Sequence, residues 1–87
     1  MTSPSRLTLL SKPGCHLCEQ MRELVDELQP DYGYLIEELD ITRTDVLHGR
    51  YRHAIPVVLM NGREIARGPV EKRALVAAID AAMTSES

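Results

Sequence analysis

Two cysteines three positions apart, Cys15 and Cys18, are the only thiols in the 87-residue chain, within the stretch KPGCHLCEQM at 12–21. That spacing serves three chemistries: half of a tetrahedral metal clamp, a small structural disulfide, or a pair that cycles between dithiol and disulfide. Their place in the chain helps to separate these. Pro13-Gly14 marks a turn, and apolar residues at helical spacing begin directly after it. Cys15 then lies near the first helical position, where amide groups lack intrahelical acceptors and partial positive charge favours thiolate over thiol. Lys12 is placed to add to that effect. His16 either does the same or is an exposed histidine of no consequence, and the sequence leaves both open. Cys18, one turn further in on nearly the same face, can close a disulfide with Cys15 while being more covered. The asymmetry suits exchange, with Cys15 attacking and Cys18 resolving a mixed disulfide.

A structural disulfide fits poorly. The opening residues, MTSPS, lack the apolar segment of an export signal, so a cytoplasmic location is expected, where thiols are kept reduced. A bridge across so short a loop would also restrict the unfolded chain very little. Zinc would need completing ligands, and His48 and His53 are the candidates. Yet 29 residues separate Cys18 from His48, where compact finger spacing has about 12–15, and a strand-like run intervenes. No metal is expected.

Composition bounds the rest. The length suits one domain with a modest core, expected to be a monomer. The chain has no Phe or Trp and three Tyr, so Leu, Val, Ile, Ala and Met must build that core. A net charge of −3 argues against a general nucleic-acid binder. No apolar run approaches the roughly 20 residues that span a bilayer, so no membrane partner is expected.

The elements that must position the cysteines follow from periodicity and turn residues. RLTLLS (6–11) suits a buried strand. Leu17, Met21, Leu24, Val25 and Leu28 recur at helical spacing from Cys15 to Gln29, and Pro30 is expected to end that run. YGYLIEELDI (32–41) carries the charge of an edge strand, and a short helix within 42–54 is expected behind a Thr42 or Thr44 cap. PVVLM (56–60) and REIAR (63–67) flank Asn61-Gly62, a hairpin signal. A last helix is expected over 70–83, behind Gly68-Pro69, with Leu75, Ala78, Ile79 and Ala82 on one face. The order is β-α-β-α-β-β-α. The uncharged LTLL and PVVLM belong at the centre of a four-stranded mixed α/β sheet, and the charged strands at its edges, with the first two strands parallel. Met21, Met60 and Met83 read as packing. Arg43, His48, Arg50, Arg52 and His53 read as a solvated helix face, since a steering surface for an anionic partner is the less common meaning of such a run.

A first strand leading into SKPGCHLC, then AIP before a central strand and NG in the closing hairpin, resembles the thioredoxin fold in its minimal glutaredoxin-like form. The likeness covers about residues 6–83, and the Cys-His-Leu-Cys form is similar to a small bacterial glutaredoxin-like family. It implies a cis bond at Ile55-Pro56, with Pro56 packed beside the cysteines and Ile55 offering its backbone to an extended substrate peptide or to glutathione. It implies a thiol–disulfide oxidoreductase acting on protein disulfides or glutathione, with a reductase or glutathione as electron donor and no bound cofactor. Lys12 falls where glutaredoxins often keep a lysine that meets a glutathione carboxylate. The Gly-Gly-x-Asp segment that grips the γ-glutamyl end of glutathione is matched here by ARGPVEK, with one glycine and no Asp. The competing reading is a thioredoxin-fold module that presents the Ile55-Pro56 groove to a protein and uses its cysteines for nothing.

Overall fold

Burial on both faces puts two strands at the middle of the sheet. In the computed structural model, which describes residues 4–84, Leu7, Leu9 and Leu10 of β1 (Arg6–Ser11) are at most 1% exposed. Val57, Val58 and Met60 of β3 (Val57–Met60) are equally covered. The charged strands β2 (Leu35–Asp40) and β4 (Arg63–Arg67) take the edges, giving the order β2-β1-β3-β4. β1 and β2 run parallel, with Leu9 opposite Glu38, while β1–β3 and β3–β4 are antiparallel. This is the mixed sheet expected from the charge pattern. Asn61 and Gly62 turn the hairpin with φ of 51° and 88°, the positive values that an Asn-Gly turn tolerates. The polar ends, expected to fray, extend outside the described residues at 1–3 and 85–87. Among the described residues no helix is long and apolar enough to cross a membrane.

Helix α1 (His16–Tyr32) buries Cys18, Met21, Val25 and Leu28, spaced three, four and three apart. That stripe corrects one expectation. Leu17 fits the spacing of the core face, yet it is 44% exposed, because the buried stripe starts at Cys18 and a neighbour in a helix points about 100° away. A second correction concerns Pro30, which lies inside the helix. In the last turn a proline forfeits little more than one backbone bond, and here it is exposed. Gly33 ends α1 instead, in the left-handed conformation (φ 74°) with its N–H on the Gln29 carbonyl at 2.8 Å.

The segment after β2 splits in two. Asp40 caps a 3-10 turn (Ile41–Arg43) by accepting the Thr42 N–H, and Thr44 caps α2 (Asp45–Tyr51) by accepting the Leu47 N–H at 3.1 Å. The last helix, α3 (Lys72–Thr84), begins two residues later than expected. Gly68 (φ 73°) and Pro69 shape the preceding loop, and Val70 packs on the core from outside the helix. Leu75, Ile79 and Ala82 are its buried face, Met21 and Met60 are core, and Met83 packs against it. A second cluster of Leu10, Ile41 and Val57 seats Leu47, Tyr51, Ala54 and Ile55 on the sheet's end next to the cysteine loop.

Tyr34 supplies the core's one aromatic ring that is wholly buried; its hydroxyl donates to the Val25 carbonyl at 2.6 Å. Burial pushes its phenol up to about 12. The folded state therefore keeps a proton that the unfolded chain gives up above pH 10. Stability from this group is intact below pH 10 and is lost as pH rises toward 12, by about 2–3 kcal/mol for a shift of that size. Urea titrations across this window should show the fall in the wild type, and Tyr34→Phe should remove most of it while costing about 1 kcal/mol at neutral pH.

Candidate redox site

The loop from β1 into α1 carries both cysteines at the carboxyl end of a central strand. Its turn is closed by the Cys15 N–H on the Lys12 carbonyl at 3.3 Å, and Gly14 takes φ of 76°. Cys15 is the N-cap of α1, with φ −88° and ψ 103°. Its Sγ accepts the backbone N–H of Cys18 at 3.1 Å, while its carbonyl accepts the Glu19 N–H at the same distance. A sulfur here faces the unpaired amides of the first turn, which is where negative charge is best held. The two sulfurs are joined as a disulfide with Cα atoms 5.2 Å apart. Cys15 is partly exposed and Cys18 only 2% exposed. One sulfur is thus open to an incoming group while the other is covered.

Lys12 is exposed and lines a cavity of about 430 Å³ together with Cys15 and Cys18. His16 lies in solvent, its Nδ1 3.7 Å from the Glu19 carboxylate, so its nearest charged partner is acidic. Two carboxylates that sequence reasoning left without a role, Glu38 and Asp40, share the cavity with the cysteines. The buried Ser11 hydroxyl donates to Glu38 at 2.8 Å, and Arg22 donates to its other oxygen at 2.9 Å. Asp40 accepts both the hydroxyl and the N–H of Thr42, bonds that hold its carboxyl below the usual range. A right-handed first crossover makes β1 and β2 parallel, but the register that sets Glu38 opposite Leu9 comes only from the structure.

The Ile55-Pro56 bond is cis. Pro56 is buried and Ile55 partly so. The Ile55 N–H donates to the Tyr51 carbonyl at 3.2 Å, and the Gly68 N–H reaches the carbonyls of Ala54 and Pro56 at 3.0 and 2.7 Å. Those bonds bring the Gly68-Pro69 loop beside this proline. Ile55 shares a cavity of about 410 Å³ with Leu17, one of the two residues between the cysteines. Arg50, His53 and Arg67 line it too, so the basic run divides: Arg50 and His53 face the groove, and Arg43, His48 and Arg52 are not among its walls. Tyr51 is partly buried under the Arg50 guanidinium, 5.5 Å from its ring centre. Among the described residues, no group of three or more His, Cys, Asp and Glu side chains is arranged to hold a metal ion.

Comparison with other proteins matches residues 6–80 to the model of the family described as "Glutaredoxin-like domain (DUF836)". The chain is 29% identical over 82 residues to Rv0508 of Mycobacterium tuberculosis, across 88% of this chain and 84% of that protein. Among solved structures it is similar to XcR50 of X. campestris, with a TM-score of 0.75, 29% identity, and 86% and 96% of the two chains covered. A mutant thioredoxin of Halobacterium salinarum shares the fold at a TM-score of 0.69 and 17% identity, over 91% of this chain and 74% of that one.

Proposed function

The chain belongs to the glutaredoxin-like domain family (DUF836), and on that premise we propose that it is a thiol–disulfide oxidoreductase working through Cys15 and Cys18. The observation that carries the reading is the N-cap placement of Cys15, whose Sγ already accepts an amide hydrogen bond. In the reduced protein a thiolate there receives a charge-assisted bond and the field of α1. It attacks one sulfur of a substrate disulfide, a Cys15–substrate bond forms, and the other substrate sulfur leaves as a thiolate that takes up a proton. Cys18 then loses its proton and attacks Cys15 Sγ. The internal disulfide forms, the substrate's second thiolate is released, and two electrons have passed from the pair to the substrate.

Lys12 adds a cation on the wall of the cavity that holds both sulfurs. With the Ile55 N–H held by Tyr51, the Ile55 carbonyl is the backbone group that meets an extended substrate. Protein disulfides or glutathione are the substrates, and glutathione or a reductase returns the electrons. No bound cofactor takes part. The protein acts in the cytoplasm as a monomer. Equilibration of the pair with thiol–disulfide buffers of graded poise tests the reading: reversible two-electron exchange is expected, and a pair that never changes state would refute it.

A further inference from the structure

Leu17 is large, apolar and 44% exposed between two cysteines, although the core has no use for it there. It walls two cavities at once. One, of about 310 Å³, runs along α1 and is lined by the apolar side chains of Leu17, Met21, Leu24, Pro69 and Val70. The other, of about 410 Å³, lies against Ile55 and carries Arg50, His53 and Arg67. Leu17 and Pro69 line both, so the two cavities adjoin at Leu17, the residue before Cys18, as an apolar arm and a basic arm.

The charges of the two arms differ in a way that identifies an occupant. In the basic arm Arg67 is neutralised by a two-point pair with Glu64 at 2.9 and 3.0 Å. Arg50 packs over the Tyr51 ring and feels Glu64 only through space, because both Glu64 oxygens are bonded by Arg67, so the Arg50 guanidinium keeps its donors for a ligand in a protein whose net charge is −3. At the apolar arm the rim is Gln20, Glu23 and Glu27, and Lys72 holds Glu27 at 2.9 Å. A cationic neighbour of the substrate cysteine is therefore disfavoured at Arg50 and an anionic one favoured.

We propose that this groove selects protein disulfides in which the attacked cysteine is flanked by a large aliphatic residue on one side and an acidic residue on the other. The inference rests on the redox reading above and adds the substrate class. The aliphatic side chain fills the arm along α1, the carboxylate meets Arg50, and the cysteine between them is carried past Leu17 to Cys15. Glutathione, with no aliphatic side chain on either side of its cysteine, leaves the apolar arm empty.

Short cysteine peptides, each joined through a disulfide to the chromogenic 5-thio-2-nitrobenzoate, test this with the intact reduced protein at low salt. The flanking pairs would be Leu with Asp, Gly with Asp, and Leu with Lys, each in both orders, alongside the glutathione conjugate. In one order the Leu/Asp peptide should react about tenfold faster in kcat/KM than its Gly/Asp and Leu/Lys counterparts and faster than the glutathione conjugate. Arg50→Glu should reverse the preference between Asp and Lys, and Leu17→Ser should erase the preference for Leu; both positions are exposed, so the fold is kept. Equal rates for all peptides, a glutathione conjugate that outruns them, or an Asp preference that survives Arg50→Glu overturns the selectivity and leaves the redox reading standing. Failure of every disulfide to react overturns the redox reading itself.

Discussion

Cys15→Ser removes exchange activity by on the order of 10³-fold or more, because a hydroxyl is not ionised at neutral pH and cannot serve as the attacking sulfur. The same substitution leaves the fold almost untouched. Serine is among the preferred N-cap residues, so its Oγ can accept the Cys18 N–H that Cys15 Sγ accepts at 3.1 Å. Stability is therefore expected to stay within about 0.5 kcal/mol of the reduced wild type. This pairing of an intact helix cap with a lost reaction separates chemistry from structure. Stopped-flow reduction of a chromogenic disulfide reads the first, and urea unfolding reads the second. Measurable turnover in a folded Cys15→Ser protein would remove Cys15 from the role of nucleophile.

Cys18→Ser has an equally large effect of a different kind. The first attack proceeds, since Cys15 keeps its cap position and its partial exposure. The covalent adduct then persists, because the group that should expel the substrate is gone. One equivalent of substrate on the protein should appear by intact mass, and turnover through the dithiol route should fall by on the order of 10²-fold or more. A modest stability cost comes with it. Cys18 is 2% exposed and packs in the buried stripe of α1, and a hydroxyl placed there needs a partner or costs about 1–2 kcal/mol. A substrate adduct that turns over as fast in Cys18→Ser as in the wild type would show that Cys18 does not resolve it.

Much of this architecture is legible in the sequence. The uncharged runs at 7–10 and 56–60 mark central strands because a buried strand excludes charge from both faces, and Asn61-Gly62 fixes the hairpin through its need for positive φ. The cysteines' place at a helix start follows from Pro13-Gly14 and the periodicity behind it. Three features resist reading for separate reasons. Leu17 looks like core because its spacing fits the stripe, and only the burial of Cys18 shows that the stripe is rotated by one residue. Pro30 looks like a stop, yet a proline in an exposed last turn is tolerated when a glycine closes the helix behind it. Arg50 and His53 look like the rest of a solvated basic run. What divides them from Arg43, His48 and Arg52 is tertiary: Gly68 bonds to Ala54 and Pro56 and brings Pro69 over to form the opposite wall. The role of Glu38 beside the cysteines is likewise a matter of strand register, which periodicity alone does not supply.

The central claim is that Cys15 and Cys18 form a reactive redox pair, and its most direct test is a redox titration. The protein is equilibrated in glutathione buffers of graded poise, quenched by alkylation, and weighed intact. The account predicts one reversible two-electron step between dithiol and disulfide, at a potential within the span of dithiol oxidoreductases, roughly −270 to −120 mV. A pair that remains alkylatable at every poise, or one that remains locked as a disulfide at every poise, would contradict it and leave the fold as a binding module whose cysteines take no part.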